Sequence, residues 1–444
     1  MTRARMDGLY LIMLGSSVFV LLGISLVIIL PCISKGDFQG MFYSASCALH
    51  RQDPYNQANL IAVYEAAAPF SESDPAFRTI QSFYCYFPNA FAITVPFALM
   101  PFWAAQVLWL FFIAITFIAA SLLMWIQASN IYPRLTGALV CLLLCNSGGL
   151  LLIGNAAGIA VSLCVIAVWC FLNNRYIALG ILCLAISLTL KPNDTGLIWV
   201  YFLLAGRVQR RRALLTAALT GILALPCVFW ISTFAPHWRH EIQANIAADS
   251  APGHNSDPGP NSLTGRVSDS VIDFQTVTGM YFPDPAVYNR VAWLLTVPLI
   301  LFWAFALWKY PHTKVEAWYA IASISALSML PLYHRQHDAK LILLTLPAAI
   351  MLMREQRLQG RIALVLSIAC FSLIGDLWLA KYFFIERLIA SGNGLVQNIL
   401  SVILSRPEPI ILFATAIFYL WVFVGRTKRS FLNRSVSPTH VAIP

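Results

Sequence analysis

Apolar runs long enough to cross a bilayer recur along this chain, separated by short polar clusters. The first, from Gly8 to Ile33, carries no charge. About 25 residues at 1.5 Å each reach across a hydrocarbon core of roughly 30 Å, which predicts a membrane helix. Its end, Pro31-Cys32-Ile33, lacks the small-residue pattern of a cleaved leader, so the helix is expected to be retained. Further spans are predicted over Trp103–Ile126, Leu135–Ile153, Ala156–Leu172, Tyr176–Leu190, Thr195–Gly206 and Ala213–Ala235. Beyond a long polar stretch come Val291–Trp308, Ala317–Tyr333, Leu341–Met353, Ile362–Gly375 and Ile410–Gly425. Together they make an all-α polytopic membrane protein of about twelve transmembrane helices. Several spans, Thr195–Gly206 among them, fall short of a perpendicular crossing and need polar extensions or partial embedding.

Two further segments have helical or apolar character without the length to span. Met41–Leu49 has helical apolar spacing and closes on Arg51-Gln52-Asp53-Pro54-Tyr55, predicting an amphipathic helix at the membrane edge. Phe87–Met100, broken by Pro88 and Pro96 and followed by Pro101, predicts a re-entrant or interfacial piece.

Composition agrees with the pattern: 59% hydrophobic and 11% charged residues exclude a soluble globule of 444 residues. The net charge of +10 gathers in short loops, Arg207–Arg212, Arg354–Arg361 and Arg426–Arg429. That is a positive-inside signature, so membrane lipids are the implied surroundings and nucleic acid is not implied. Orienting those loops to the cytoplasm places both termini there and puts loops 34–102, 236–290 and 380–409 outside. The expected organisation is one membrane domain over 1–425, in the inner (plasma) membrane, with a basic tail over 426–444. Seven of the ten cysteines lie in apolar spans, the ordinary place for small packing residues. Cys47 and Cys85 fall in outer segments, where two thiols or a disulfide are the alternatives.

Candidate chemistry lies where polar residues interrupt the apolar pattern. Asp37 stands at the exit of the first span, where a carboxylate can deprotonate a hydroxyl. Tyr333-His334-Arg335-Gln336-His337-Asp338-Ala339-Lys340 and Leu190-Lys191-Pro192-Asn193-Asp194 sit at span ends, where such concentrations of polar groups are costly without a use. Lys191, Arg335 and Lys340 offer positive charge to an anionic headgroup, with Arg266 next in line, and His337 or Asp338 can move protons or bind hydroxyls. The plain alternative for each is an interfacial loop whose basic side chains snorkel. Residues Pro252–Gly265, dense in turn formers, have the composition of a lid over a site or of a simple connector.

Asp37-Phe38 with Tyr43, then Asp53-Pro54-Tyr55, Tyr86-Phe87-Pro88, Gly154-Asn155, Lys191-Pro192 and Asn261-Ser262-Leu263 resemble, in order and spacing, glycosyltransferase family 87. The resemblance covers Asp37 to about Leu346 and implies the GT-C membrane fold. It further implies a sugar transferase drawing on a polyprenyl-phosphate donor, with the catalytic carboxylate mapping onto Asp37 and a later polar residue onto the Tyr333–Lys340 cluster. On this reading Asp37 and His337 are catalytic, and Tyr43, Tyr55, Tyr86, Asn155, Lys191, Arg335, Asp338 and Lys340 bind substrate. The chain has Pro88-Asn89 where many members have two prolines, and Gly154-Asn155 where they have Gly-Gln, which leaves the sugar open between mannose and another hexose or pentose. The implied reaction is inverting transfer to a lipid or glycan hydroxyl on the outer face. The leaving phosphate is already an anion of low basicity, so no metal and no other cofactor is called for. From other classes stand a secondary transporter or lipid-linked-sugar flippase, and an inactive binding protein of envelope assembly.

Overall fold

The computed structural model describes residues 2–29, 36–67, 84–254, 256–259, 271–376 and 406–436. Helix dominates it, and the described residues contain no strand beyond one antiparallel bridge between Val271 and Arg335. The first apolar run forms α1 (Arg3–Ile29), followed by α2 (Gly36–Leu49), α3 (Gln57–Ala67) and, after a turn at Pro88–Ala90, the short α4 (Phe91–Ala98). The next apolar pair is α5 (Phe102–Ala128) and α6 (Pro133–Cys145), the latter continued past a break by α7 (Gly149–Ile153). Then come α8 (Ala157–Leu172), α9 (Ile177–Leu190), α10 (Pro192–Leu204), α11 (Arg207–Ser232) and α12 (Trp238–Asp249). The last third holds α13 (Gln275–Thr278), α14 (Pro285–Lys309), α15 (Lys314–Leu327), a tight turn over Asp338–Leu344, α16 (Thr345–Glu355), α17 (Arg357–Leu373) and α18 (Pro407–Val436).

Six stretches are long and apolar enough to cross a membrane: Arg3–Ile29, Phe102–Ala128, Pro133–Ile153, Arg207–Ser232, Pro285–Lys309 and Pro407–Ser430. The protein is therefore an all-α membrane protein, with α8 and α9 as shorter apolar helices inside the bundle. α8 is the central element, since nearly all of its residues are buried and apolar on every side.

Several expected spans are subdivided. Leu135–Ile153 breaks at Asn146–Gly148, where the Asn146 amide donates to the carbonyls of Phe371 and Ser372. Ala317–Tyr333 stops as a helix at Leu327, and Leu341–Met353 begins as a tight turn. α4 has eight residues, about 12 Å of helix, too short to cross. The amphipathic helix expected over Met41–Leu49 is instead a core helix, with every residue from Met41 to Ala48 buried. Its apparent polar face carries Ser44 and Ser46, small enough to pack inward, and Ser46 satisfies its hydroxyl on the Phe42 carbonyl. No disulfide joins Cys47 to Cys85.

Candidate functional site

Asp37 sits in the first turn of α2, half-buried, and the next residue anchors it. Phe38 stacks on Trp109 at 5.1 Å and on Phe102 at 6.1 Å between ring centres. Trp109 in turn donates its indole N–H to the Gly154 carbonyl at 2.8 Å. Gly154 ends α7 in the left-handed region (φ 65°), and a β-carbon there would lie 3.2 Å from that of Phe38. The glycine thus lets the chain pass close to α2 and delivers Asn155 beside Asp37.

The Asn155 amide is oriented by its surroundings. Its Oδ1 accepts from the Ala157 backbone N–H at 2.7 Å and from Lys191 Nζ at 3.4 Å, so Nδ2 faces Asp37 and donates to its Oδ2. The other oxygen, Asp37 Oδ1, makes no hydrogen bond among the described residues.

Lys191 occupies the joint between α9 and α10, where Pro192 disfavours continued helix and the lysine takes an extended backbone (φ −144°). Its ammonium bonds Asp338 Oδ1 at 2.5 Å and lies 3.5 Å from Asp194, one turn into α10. Asp338 opens the turn after the Tyr333–His337 segment, and its Oδ2 accepts the Arg335 backbone N–H at 2.7 Å. His337 Nε2 lies 3.7 Å from Asp338, and His334 Nε2 lies 3.6 Å from Asp194. Arg335 bonds the Tyr333 hydroxyl through Nε, and the Asp37 charge reinforces its own. Burial lowers His337 to about 4, with the Asp338 charge opposing and the Lys191 charge assisting, so its imidazole is neutral near neutral pH. Burial alone would raise Asp338, but Lys191 and then the two histidines hold it well below the usual carboxylate range.

Asp37, Tyr86, Asn155, Lys191, Arg335, His337 and Asp338, drawn from five separate stretches of sequence, therefore share one polar centre. Asn89 helps place Tyr86 by donating to the Thr189 carbonyl at 2.7 Å, two residues before Lys191. The cluster is not an interfacial loop: Lys191, Asp338 and His337 are 9%, 2% and 7% exposed.

Three expected binding residues stand elsewhere. Lys340 turns away and donates to the Asn146 and Ile374 carbonyls at 3.0 and 2.9 Å, tying the helix break to the end of α17. Tyr43 stacks on Phe102 and meets Tyr64 edge-on, a packing role inside α2's aromatic surroundings. Tyr55 packs on Tyr84 and Trp238 and donates its hydroxyl to the Tyr86 carbonyl at 3.1 Å, so it supports the centre without entering it. Conversely, Asp194 and His334 belong to the cluster and are both fully buried. The spacing of Asp194 to Lys191, three residues on one helical face, was the available signal. Asn261–Leu263 and Arg266 lie outside the described residues, as does most of loop 380–409.

Comparison of the chain with family models, with curated proteins and with solved structures gives no match.

Proposed function

We propose that the protein is a membrane glycosyltransferase of GT-C type that moves a sugar from a polyprenyl-phosphate donor to a hydroxyl of a lipid or glycan acceptor. The observation that carries this reading is Asp37 itself: one oxygen is fixed by Asn155 and the other makes no hydrogen bond among the described residues, on a half-buried carboxylate beside a buried ionic cluster. A carboxylate held this way can take a proton from a bound hydroxyl. The acceptor oxygen bonds the anomeric carbon as its proton passes to Asp37, and the anomeric carbon–oxygen bond to phosphate breaks. The electron pair leaves on the polyprenyl phosphate, with inversion at carbon. Lys191 is committed to Asp338 and Asn155, so its part is to hold Asn155 against Asp37. Arg335, on which the Asp37 charge acts, is the cation placed to meet the leaving phosphate. On this proposal the Asp37 end faces away from the cytoplasm across the plasma membrane.

The test is Asp37→Asn in membranes supplied with radiolabelled polyprenyl-phosphate sugar and acceptor lipid. Transfer is expected to fall about 100-fold to 10,000-fold, the usual contribution of positioned proton transfer, with donor binding kept. An Asn variant that still transfers sugar removes the general base from Asp37.

A second reading, a secondary transporter or lipid-linked-sugar flippase, draws on the buried Lys191–Asp338 pair and on helices broken at Asn146–Gly148 and at Lys191. Proteoliposomes separate the two. A flippase moves labelled donor between leaflets with its sugar–phosphate bond intact, whereas a transferase yields labelled acceptor.

A further inference from the structure

A second polar centre lies at the other end of the bundle. α8 starts beside Asn155 and ends at Leu172, and its 16 residues put this end roughly 24 Å from Asp37. There a cavity of about 440 Å³ opens between α5, α8 and the start of α15. Its polar wall is Gln127, Asn130, Asn173, Arg175 and Lys314, its apolar wall Ile126 and Trp169, and none of the described residues lining it is a carboxylate.

The polar wall is a built one. Asn173 Nδ2 donates to Gln127 Oε1 at 3.0 Å, and Asn173 Oδ1 accepts from Lys314 Nζ at 2.7 Å. That chain fixes the ammonium at the rim while leaving two of its three donors. Lys314 is also the first residue of α15, whose capping box of Thr313 and Glu316 fixes the helix start and directs the positive end of its dipole here. Arg175 projects from a turn in which both neighbours, Asn174 and Tyr176, have left-handed backbones (φ 53° and 50°). Its guanidinium makes no hydrogen bond or ion pair among the described residues. Tyr176 stacks on Trp169, extending the apolar wall. Burial and the facing Arg175 charge both lower Lys314, as expected of two cations held together with no counter-charge between them among the described residues.

We infer that this cavity binds a phosphate oxyanion, with Arg175 gripping two oxygens in its planar fork and Lys314 a third. Trp169, Tyr176 and Ile126 lie alongside, where the apolar part of an anionic lipid would continue from its headgroup. The same chemistry fits a free phosphate, and the experiment distinguishes the two sources.

Full-length protein is placed in nanodiscs of phosphatidylcholine containing a minority of phosphatidylglycerol, and the retained phosphatidylglycerol is counted by native mass spectrometry. Arg175→Gln and Lys314→Gln should each weaken retention about fivefold, and the double variant about 30-fold, as expected for one basic residue each at a membrane surface. Arg211→Gln, which removes the same charge from α11 outside the cavity, should change it less than twofold. A parallel titration with inorganic phosphate in uncharged detergent follows the melting temperature. Protection there that the double variant abolishes assigns the site to soluble phosphate, and lipid retention without such protection assigns it to a headgroup. Arg175→Lys keeps the charge but loses the fork and should fall between wild type and Arg175→Gln. A double variant that melts normally and retains lipid and phosphate like wild type overturns the inference, and so does an equal loss in Arg211→Gln.

Discussion

Lys191 and Lys340 are both buried ammonium groups near the ends of apolar helices, and their partners give them opposite roles. Lys191 faces Asp338 and Asp194, so Lys191→Met strands buried carboxylates and should cost about 3–5 kcal/mol, read as a lower melting temperature in detergent together with lost transfer. Lys191→Met with Asp338→Leu should recover much of the stability and none of the transfer. A double variant as unstable as the single one would show that the pair's charge is not what the lysine serves. Lys340→Met removes the donor from two backbone carbonyls, about 1–3 kcal/mol, and the protein that folds should transfer at the wild-type rate. Sequence could single out both lysines, because a charge interrupting an apolar run stands out, but the direction each side chain takes depends on helices distant in the chain. Glu241 supplies a pH dependence. Burial, then the facing Asp53 carboxylate, raises it from 4.5 to about 7, so the folded protein holds a proton that the unfolded chain releases in that window. Its contribution is complete below about pH 4.5 and is lost as pH rises through about 7. Glu241→Gln should flatten the melting temperature between pH 5 and pH 8, and an unchanged slope would assign that dependence to another group.

At the scale of helices, the apolar pattern located the long apolar elements but not α3, α12 or α13, which lie in stretches assigned to loops, and the errors inside the apolar runs have a common cause. An apolar run reports burial without saying what covers it, so Met41–Leu49 read as a surface helix when α4 and α5 cover its other face. Breaks inside runs were hidden for the same reason: Asn146 and Lys191 are satisfied by partners far along the chain. The packing of α1 shows a further pattern without a strong sequence signal. Gly8, Gly15 and Gly23 form a stripe against α6 and α7, where an added β-carbon would lie 2.4 Å from the Pro133 carbonyl oxygen, 2.9 Å from Cys141 Cα and 2.5 Å from a Leu151 methyl. Small residues allow this approach between membrane helices, where close packing replaces the hydrophobic drive available in water. Gly15→Leu should therefore force α1 from α6 and destabilise the protein by about 1–3 kcal/mol or more, measured by detergent melting. Leu14→Ala, on α1's exposed side, should change little. Equal melting of the two variants would mean that α1 is held by other contacts.

Over the whole molecule the contacts sort charge between two ends. α1 runs parallel to α6 and α7, with Gly8 at Pro133 and Gly23 at Leu151, and Asp7 pairs with Arg134. α18 runs antiparallel to α15, since Ser323 bonds the Ala416 carbonyl and Ser430 bonds Glu316. The N-terminal arginines, Arg134, Arg175, the Arg207–Arg212 cluster, Lys314 and the basic turn after Gly425 therefore share one end, and Asp37, Asn155, Lys191 and Arg335 share the other. α11 joins the ends, starting in the arginine cluster and leading into α12. Reporters at the N-terminus, at Arg211 and at the C-terminus should accordingly report the same side of the membrane, and one at Gly253 the opposite side, with the basic side cytoplasmic. The expectation does not require twelve full crossings. α9 and α10 meet at Lys191 and return to the end from which α9 began, so whether each crosses fully or partly, the sides on which Arg175 and Arg207 emerge are the same. A reporter at Gly253 on the same side as Arg211 would mean that α11 does not cross. It would also put Asp37 on the side of the basic clusters, and an extracytoplasmic transfer reaction could not then be assigned to it.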